Sequence, residues 1–510
     1  MPVCVGTGGE LNGAVARAAE VADIVELRLD CLEGGELEAA RGRLAELQRS
    51  ARLPFIYTLR PAEEGGRRDL PAEERVRFWE SAGPLLADGN GGASRLVDVE
   101  LGLLESTHGP RVLQALEGLT IICSHHDFEE TPEDLGSLYE RMKRTGAGVL
   151  KIAVRARSIT DCVPLLSLLA RARREGREMI AVAMGEAGLL SRVLAPARGA
   201  YLTFGSLDSG QATAPGQVGA RELRELYRVR NLGAGVGVTG LVGSPVGHSL
   251  SPHIHNAAFD ARGIEAVYVP FEVADVSAFV RRMASPRTRE LEWNLLGFSV
   301  TAPHKVAVME HLDSVERTAA EVGAVNTVVV EGGGLRGFNT DAAAALKPLR
   351  ERTELRGARV AVIGAGGAAR AMLWGLKESG ARACVFARDA ARGSEVAAQF
   401  DAETATLSDA NFGSFDVVVN ATPLGTRGER EGDTAAVAAQ LRGARLAYDL
   451  VYNPRETRFL KEAREAGCET VGGLSMLVAQ ASEQFKLWTG AEPPVDVMRA
   501  AAEKRLRSVA

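Results

Sequence analysis

Residues 359–369 have the sequence Arg-Val-Ala-Val-Ile-Gly-Ala-Gly-Gly-Ala-Ala, and this stretch is the clearest indication of the fold of the C-terminal half of the chain. The apolar run Val360–Ile363 predicts a buried strand, and the glycines from Gly364 predict a tight turn that opens a helix running toward Leu376. Glycines there let a phosphate approach the positive N-terminus of the helix. The pattern therefore predicts a dinucleotide-binding Rossmann domain over residues 353–474.

The next strand of this domain, Ala383–Phe386, indicates which dinucleotide is bound. Arg388 and Arg392 follow it, and guanidinium groups at this position match the 2′-phosphate of NADP. An acidic residue there would instead bind the ribose of NAD, and Asp389 keeps that alternative open. The sequence favours NADP. The predicted cofactor contacts are Gly364, Ala365, Gly366, Gly367, Ala368, Arg388, Arg392, Thr422 and Gly473.

Toward the N-terminus, residues 1–227 alternate short apolar runs with amphipathic segments. Eight such strand-helix units in just over 200 residues predict a closed (β/α)₈ TIM barrel, so the whole chain is of the α/β class. The eight runs are Val3–Gly6, Ile24–Asp30, Phe55–Arg60, Leu96–Leu101, Thr120–Asp127, Val149–Arg155, Met179–Gly185 and Tyr201–Gly205. The glycine-rich stretch Tyr227–Gly237 marks the domain boundary. Residues 236–352 form a separate α/β lobe, which we expect residues 475–510 to complete.

Composition limits the remaining possibilities. The chain of 510 residues is too long for one core, and its net charge of −6 is spread without a basic block, so no nucleic-acid partner is expected. No apolar run is long enough for a membrane span, and the N-terminus lacks a signal pattern. The six cysteines are scattered, which predicts a reduced, cytoplasmic location with neither a disulfide framework nor a zinc site. The expected partners are small molecules.

Ionisable residues lie at the ends of five predicted barrel strands, where a barrel carries its chemistry. They are Glu26 with Arg28, Arg60, Glu100, His126 with Asp127, and Lys151. A lysine in an apolar strand near arginines has a depressed pKa and attacks ketones as a nucleophile. The imine acidifies the adjacent carbon, and a neutral His126 could move that proton. Arginines imply an anionic substrate. These residues predict a metal-free lyase or aldolase acting on a keto acid.

Several motifs carry a closer resemblance. They are Ser124-His125-His126-Asp127-Phe128, Lys151-Ile152-Ala153, Glu26-Leu27-Arg28-Leu29-Asp30, Thr58-Leu59-Arg60, Asp98-Val99-Glu100 and Ala214-Pro215-Gly216-Gln217. Together they resemble type I 3-dehydroquinate dehydratase over the whole N-terminal half. The resemblance implies a Schiff base on Lys151, His126 as general acid/base and Glu100 orienting His126. It also implies that Arg192 clamps the substrate carboxylate, and that the remaining substrate contacts are Glu26, Arg28, Arg60, Thr213 and Gln217.

The C-terminal half carries a second set of motifs on strand tips. They are Ser249-Leu250-Ser251-Pro252, Val300-Thr301-Ala302-Pro303-His304-Lys305, Asn326-Thr327, Asn339-Thr340-Asp341, Asn420-Ala421-Thr422-Pro423, Tyr452-Asn453-Pro454 and Ser475–Ala481. They resemble shikimate dehydrogenase from Val238 to the C-terminus. The resemblance implies a catalytic pair of Lys305 and Asp341. Substrate contacts are expected from Ser249, Ser251, Thr301, Asn326, Tyr452 and Gln480.

Both resemblances together imply consecutive reactions: 3-dehydroquinate is dehydrated to 3-dehydroshikimate, which NADPH reduces to shikimate, without a metal. Three alternatives stay open. One is oxidation of quinate or shikimate with NAD; another is a regulatory binding protein built on inactive copies of both folds. The third is a class I aldolase in the N-terminal half, which would need only the lysine. The expected assembly is a monomer or a small homo-oligomer.

Overall fold

The structure is a computed structural model, and it describes residues 1–33, 35–39, 42, 44, 47, 53–87, 95–207, 216–407 and 410–508. The chain divides into two compact units. The first comprises Met1–Val236 with Val269–Val273 and Glu290–Trp293. The second comprises Gly237–Tyr268, Ala274–Arg289 and Asn294–Ala510.

The first unit contains a parallel sheet whose seven strands are hydrogen-bonded in chain order. The strands are β1 (Pro2–Val3), β2 (Val25–Arg28), β3 (Phe55–Thr58), β4 (Arg95–Glu100), β5 (Thr120–Asp127), β6 (Val149–Arg155) and β7 (Glu178–Met184). The helices are α1 (Gly8–Ala19), α2 (Ala72–Ala87), α3 (Leu101–Glu105), α4 (Gly109–Ala115), α5 (Leu135–Arg144), α6 (Cys162–Arg174), α7 (Leu189–Leu194) and α8 (Ala220–Glu225). The predicted strand-helix alternation and α/β class are confirmed.

The eighth predicted strand differs. Residues 201–205 join no strand ladder in the part of the chain that the structure describes. Their backbone groups are used in single contacts instead: Tyr201 N donates to Met179 O at 2.8 Å, and Phe204 O accepts from the Arg192 guanidinium at 3.2 Å. An apolar run shows that a segment is buried, and here it is buried without becoming a ladder strand.

The apolar side chains of the strands form the core that positions the first site. One cluster collects Ile56, Leu96, Ile122, Val149 and Ile180 from five neighbouring strands. Because side chains alternate along a strand, polar residues on the same face as these are also carried inward. The sheet therefore brings the ends of its strands, with their ionisable groups, to one place.

Cysteine usage corrects one expectation. The sequence predicted no disulfide, whereas Cys4 and Cys31 are bonded, with Cα atoms 5.4 Å apart. The two residues are 27 positions apart, but Cys4 directly follows β1, and Cys31 ends the short turn Leu29–Cys31 that follows the paired strand β2. Strand pairing brings them together, and spacing along the sequence could not reveal that. Cys123, Cys162, Cys384 and Cys468 are free and buried.

The second unit contains two sheets. The first has the order β10-β8-β11-β13-β14-β12, with β9 beside β8. Its strands are β8 (Gly237–Gly243), β9 (Ala266–Glu272), β10 (Asn294–Leu295), β11 (Gly297–Val300), β12 (Ser314–Val315), β13 (Thr327–Glu331) and β14 (Gly334–Phe338). The helices are α9 (Ser251–Ala261), α10 (Val276–Phe279), α11 (Arg317–Val322) and α12 (Asp341–Arg350).

The second sheet is parallel throughout, in the doubly wound order β17-β16-β15-β18-β19-β20. Its strands are β15 (Arg359–Ile363), β16 (Arg382–Ala387), β17 (Glu403–Thr406), β18 (Val417–Asn420), β19 (Leu446–Asp449) and β20 (Glu469–Val471). The helices are α13 (Gly367–Glu378), α14 (Ala390–Gln399), α15 (Ala438–Leu441), α16 (Arg458–Glu465), α17 (Leu474–Thr489) and α18 (Val495–Ser508). Two separate apolar clusters contain side chains from this sheet, as expected when helices cover both faces.

The two C-terminal helices pack into the lobe that contains the first sheet. Phe485 of α17 and Met498 of α18 belong to one apolar cluster with Leu241 of β8 and Ile254 of α9. The completion of that lobe by residues 475–510 stays a prediction. Across the described residues, no helix is long and apolar enough to span a lipid bilayer.

Candidate active sites

Lys151 lies in the middle of β6 and is 5% exposed. Its Nζ lies 2.8 Å from Asp98 Oδ2 and 3.8 Å from Glu26 Oε1, and 4.6 Å from the centre of the Phe204 ring. The sequence predicted a lysine among arginines. The structure adds a buried carboxylate in direct contact with the ammonium group.

Asp98 connects Lys151 to Arg60. Its Oδ1 lies 2.7 Å from Arg60 Nη2 and accepts a hydrogen bond from Ser124 Oγ at 2.6 Å. Arg60 also donates to Ser124 Oγ, at 2.7 Å. Burial alone would raise the pKa of Asp98, but the Arg60 and Lys151 cations outweigh it and hold that pKa well below its usual range. Asp98 is therefore a fixed negative charge shared by two buried cations.

His126 faces the same cavity from β5. Burial, aided by the cations of Arg60, Lys151 and Arg28, lowers its pKa well below the usual value, so the imidazole is neutral at pH 7. Its Nδ1 lies 2.9 Å from Glu64 Oε2. Burial raises the pKa of Glu64 to about 7. With Nδ1 held by Glu64, Nε2 is the ring nitrogen that can exchange a proton with a ligand.

Glu64 thus occupies the role that the sequence assigned to Glu100, and that assignment was wrong. Glu100 Oε1 lies 2.9 Å from Nη2 of Arg75 on α2, and both side chains are buried. A buried guanidinium is stabilised by a contacting carboxylate, and Glu100 is used in this pair and not held against His126.

A short glycine loop places Glu64. Gly65 follows it with φ of 81°, and a Cβ on that residue would lie 2.3 Å from Phe128 Cζ. A Cβ on Gly66 would lie 1.9 Å from Arg60 O. The chain can fold back against Phe128 only because both residues lack side chains. The pair of glycines directly after Glu64 was the sequence signal for this arrangement.

Arg192 lines the same cavity with buried donors that lack a protein partner among the described residues. It is 1% exposed, and burial lowers its pKa to about 10. Its Nη1 donates to Phe204 O, whereas Nε and Nη2 have no hydrogen-bond partner. Unpaired buried donors are costly, and a bound carboxylate would satisfy them.

The other expected contacts also meet this cavity. Its lining includes Glu26, Arg28, Arg60, Glu64, His126, Lys151, Arg192 and Gln217. Thr58 Oγ1 donates to Glu26 at 2.9 Å, and Asp30 holds Arg28 through two bonds of 2.8 and 2.7 Å. Thr213 lies outside the described residues.

The second site centres on Lys305 and Asp341. Lys305 Nζ lies 2.5 Å from Asp341 Oδ2, and Asp341 is the first residue of α12. The lysine also approaches the glycine turn, because a Cβ on Gly367 would lie 3.0 Å from Lys305 Cδ. The structure therefore brings together the predicted pair and the predicted cofactor turn.

Several predicted substrate residues of this lobe carry hydroxyl groups. Ser249 Oγ accepts from Ser251 N at 3.1 Å, and an interaction with Ser249 partly opposes the rise that burial causes in the pKa of Tyr452. The buried hydroxyl of Tyr268 contacts Ser299 Oγ, and interactions with Ser299 and Ser251 partly oppose the rise that burial causes in its pKa. Sequence reasoning missed Tyr268, because a tyrosine within an apolar strand is indistinguishable from a core residue. Hydroxyl groups of this kind can donate hydrogen bonds to a carboxylate.

The remaining predicted substrate residues are held by local bonds. Asn326 Oδ1 accepts from Thr340 N at 2.8 Å, and its Nδ2 donates to Thr340 Oγ1 at 2.9 Å. Gln480 Nε2 donates to Leu477 O at 3.0 Å within α17. Thr301 directly follows β11 and is half-buried. Asn326 thereby fixes the strand tip that leads into Asp341.

The glycine turn has the geometry that a dinucleotide requires. Gly364 has φ of 123°, and a Cβ there would lie 2.9 Å from Ala421 O. Gly366 is the N-cap of α13, and nothing lies within 4 Å of a Cβ built on it. The backbone is thus open to an approaching pyrophosphate at a helix N-terminus.

The residues after β16 fit a phosphate better than a ribose diol. Ala387, the last residue of β16, is not acidic. Asp389 Oδ1 accepts from Arg392 N at 3.1 Å and caps α14. Arg388 and Arg392 are exposed. Asp389 therefore has a structural role as an N-cap, which removes the main argument for NAD.

Comparison with known proteins identifies the same two halves. Family models match type I 3-dehydroquinase over residues 1–234, the shikimate dehydrogenase substrate binding domain over 241–328, shikimate/quinate 5-dehydrogenase over 347–461 and the shikimate 5′-dehydrogenase C-terminal domain over 473–503.

Individual relatives resemble the whole chain or its second half. The chloroplastic bifunctional 3-dehydroquinate dehydratase/shikimate dehydrogenase of Arabidopsis thaliana is 35% identical over 503 residues, which cover 93% of this chain and 79% of the relative. The shikimate dehydrogenase (NADP(+)) of Methanothermobacter thermautotrophicus is 38% identical over 53% of this chain and 96% of its own length. A crystal structure of a shikimate dehydrogenase in complex with NADP+ is 34% identical, with a TM-score of 0.49, over 54% of this chain and 97% of that one. The resemblances drawn from the motifs are thereby confirmed, and the chain belongs to the bifunctional 3-dehydroquinate dehydratase/shikimate dehydrogenase family.

Proposed function

We propose that the chain catalyses two consecutive reactions of the shikimate pathway. Residues 1–227 dehydrate 3-dehydroquinate to 3-dehydroshikimate. Residues 236–352, completed by 475–510, form the substrate lobe of a dehydrogenase that reduces this product to shikimate, and residues 353–474 bind its NADPH. The observation that carries the proposal is Lys151 sharing one buried cavity with His126 and the unpaired donors of Arg192.

In the dehydratase, the Lys151 amine attacks the substrate ketone and water is lost, which leaves an imine. The protonated imine withdraws electrons from the adjacent carbon, and His126 is neutral and can accept the proton released there. The same histidine can then deliver a proton to the departing hydroxyl. Hydrolysis of the imine returns the lysine. Asp98 faces the cationic nitrogen throughout and stabilises the iminium charge.

Glu64 has a distinct part in this sequence. It holds Nδ1 of His126 and, when ionised, stabilises the imidazolium that forms after proton removal. Arg192 binds the substrate carboxylate with the donors that lack protein partners. Thr213 and Gln217 are proposed to contact the substrate from the segment that follows residue 205.

In the dehydrogenase, Lys305 donates the proton that converts the developing alkoxide to a hydroxyl, and Asp341 orients its ammonium group. Ser249, Ser251 and Tyr452 bind the substrate carboxylate. Thr301, Asn326 and Gln480 bind the ring hydroxyls.

The glycine turn at residues 364–368, together with Thr422 and Gly473, would hold NADPH, and Arg388 and Arg392 would bind its 2′-phosphate. When bound, NADPH supplies the hydride for the ketone. The support for this assignment is the open N-terminus of α13 and the use of Asp389 as a helix cap.

The test is a coupled assay in which the full chain is incubated with 3-dehydroquinate and NADPH and the loss of NADPH absorbance is measured. Both sites must act for NADPH to be consumed, so consumption supports the whole proposal. NADH added in parallel tests the cofactor. Consumption of NADH alone would contradict the NADP assignment, and absence of turnover with either cofactor would contradict the coupled function.

Two variants assign the steps. Lys151→Met is expected to abolish NADPH consumption from 3-dehydroquinate and to leave consumption from 3-dehydroshikimate intact. Lys305→Met is expected to abolish both but to preserve formation of the conjugated 3-dehydroshikimate, which absorbs in the ultraviolet. Reduction of the imine with borohydride should link the substrate or product to the peptide that contains Lys151, with the mass gain of the reduced adduct after loss of water. Label on another lysine would refute that role.

We also propose a cytoplasmic location and a monomer or small homo-oligomer. Cell fractionation and light scattering test these statements. Thiol alkylation in intact cells would show whether Cys4 and Cys31 are bonded there, since disulfides are rare in a reducing cytosol.

A further inference from the structure

Asp449, a buried carboxylate that neither proposed reaction uses, lies between two turns of the dehydrogenase site. It is the last residue of β19 and is 0% exposed. It pairs in register with Asn420, the last residue of the neighbouring strand β18. Both residues therefore lie at the carboxyl edge of the sheet, where a doubly wound fold binds its ligands.

The carboxylate accepts hydrogen bonds from three neutral donors. Oδ1 accepts from Asn420 Nδ2 at 2.9 Å and from Val451 N at 3.0 Å, and Oδ2 accepts from Thr457 Oγ1 at 2.5 Å. Asn420 and Thr457 are also fully buried. Burial raises the pKa of Asp449 to about 6, against the opposing effect of these hydrogen bonds. Burying a carboxyl group beside neutral donors alone lowers the stability of the fold, which indicates that Asp449 has a role other than stabilisation.

On one side, the network reaches the predicted cofactor turn. Asn420 Oδ1 accepts from Thr422 N at 3.0 Å and from Thr422 Oγ1 at 2.6 Å. Asn420 Nδ2 also donates to Leu424 O at 3.2 Å. Asp449 fixes the orientation of the Asn420 amide, because it accepts from Nδ2 and leaves Oδ1 to hold Thr422.

On the other side, the network reaches the predicted substrate turn. Val451, which donates its N–H to Asp449, directly precedes Tyr452, a predicted contact of the substrate carboxylate. One buried carboxylate therefore holds the backbone beside a substrate contact and the amide beside a cofactor contact.

We propose that Asp449 is a positioning residue that sets the distance between the cofactor and the substrate in the dehydrogenase, an inference that rests on the proposed function. It touches neither ligand. It acts through Asn420 on Thr422 and through Val451 on Tyr452. Misplacement of reacting groups by about 1 Å can reduce a rate by about a hundredfold, so a small shift between the two turns is sufficient to matter.

The test compares Asp449→Ala, Asp449→Asn and wild type in the full chain, with dehydratase activity as an internal measure of intact protein. For Asp449→Ala we expect kcat of the dehydrogenase to fall about tenfold to a hundredfold. We also expect KM to rise for both 3-dehydroshikimate and NADPH. Dehydratase activity should not change.

Val417→Ala is the matched control. Val417 is fully buried at the opposite end of β18, away from both turns. This variant should lower the melting temperature of the same domain without changing kcat or either KM. A merely structural role for Asp449 would give the same result for Asp449→Ala, and that outcome would overturn the inference.

Asp449→Asn keeps the volume and one acceptor oxygen, but its amide nitrogen cannot accept from Thr457. It is expected to fold even if the alanine variant does not, and to lose about threefold to tenfold in kcat, consistent with one lost hydrogen bond. Wild-type kinetics for Asp449→Asn would overturn the inference. An inactive wild-type dehydrogenase would instead overturn the proposed function, and the inference with it.

A double variant tests the route. Asn420→Ala with Asp449→Ala should lose little more than the worse single variant, because both changes interrupt one chain of bonds. Fully additive losses would contradict the coupling through Asn420.

Discussion

Reduction of the Cys4–Cys31 bond should destabilise the first unit selectively. The bond closes a loop with a sequence separation of 27 between the ends of β1 and β2. A cross-link of that length removes loop entropy from the unfolded chain worth about 3.5 kcal/mol at 25 °C. Stabilities of single domains are about 5–15 kcal/mol, so the expected loss is a large fraction of the total.

The structure also predicts what reduction should leave unchanged. Asp30, the residue before Cys31, is held by both Arg28 bonds and by the backbone N–H groups of Arg60 and Arg67, at 3.4 and 3.0 Å. These contacts do not require the disulfide. We therefore expect kcat and KM of the dehydratase to change less than about twofold, the size of effect expected when a bond acts mainly on the unfolded state.

The assay is a urea titration with and without a thiol reductant, in which the two activities report on the two units. With an m value of about 3 kcal/mol per molar urea, the dehydratase midpoint should fall by roughly 1 M. The dehydrogenase midpoint should not move. A Cys4→Ala/Cys31→Ala variant is the control, and its midpoint should not respond to reductant.

Two results would refute the reasoning. Equal midpoints with and without reductant, in protein whose thiols are shown to be oxidised at the start, would mean that the cross-link does not constrain the unfolded chain. An equal fall in both midpoints would mean that the reductant acts on something other than this bond.

Three further outcomes follow from the sites. Asp98→Asn should remove the carboxylate that lies 2.8 Å from Lys151 and lower dehydratase kcat about a hundredfold. The free energy of unfolding of the first unit should fall by about 3 kcal/mol, because one charge of a buried ion pair is removed. Dehydrogenase kinetics are the control. Burial raises the pKa of Glu64 to about 7, so this side chain is ionised above pH 7 and protonated below. Dehydratase kcat/KM of the wild type should therefore fall as the pH drops below about 7. In Glu64→Gln this fall should be absent, and kcat/KM above pH 7 should be lower than in the wild type. A pH profile of unchanged shape would exclude Glu64 as its source. Replacing Arg388 and Arg392 by alanine should raise KM for NADPH about tenfold or more and leave KM for NADH nearly unchanged, since only NADPH carries the 2′-phosphate; a parallel rise in both would contradict that contact.

Much of the fold could be predicted from the sequence, because strands that are buried on both faces consist of short apolar runs that the sequence shows directly. Seven apolar runs of the N-terminal half are strands, and the glycine turn at Gly364 follows a strand and opens a helix as expected. The run at 201–205 was wrong as a ladder strand. Apolar composition reports that a segment is buried, whereas a ladder also requires a neighbour with free backbone groups, which depends on tertiary structure.

The positions of the candidate catalytic residues were predictable for a similar reason, because burying an ionisable side chain in an apolar strand costs free energy and such a residue is therefore informative. Lys151 and His126 lie in one cavity as expected, and Lys305 contacts Asp341. Tyr268 was not predictable, since a tyrosine in a strand packs like any aromatic residue until its hydroxyl partner is known.

The mistaken choice of Glu100 over Glu64 shows where sequence reasoning reaches its limit. Both carboxylates are near the ends of barrel strands, and each could in principle serve His126. The choice is made by competition among buried charges: Arg75 is buried on α2 and pairs with Glu100, while the loop with Gly65 carries Glu64 to the histidine. Distances of a few ångströms decide which cation pairs with which carboxylate, because the cost of burying both charges is repaid only when the two groups are in contact with good geometry. The sequence indicates that the buried arginine and histidine side chains need carboxylate partners. The packing of helix α2 and the fold of the glycine loop determine which carboxylate each of them contacts.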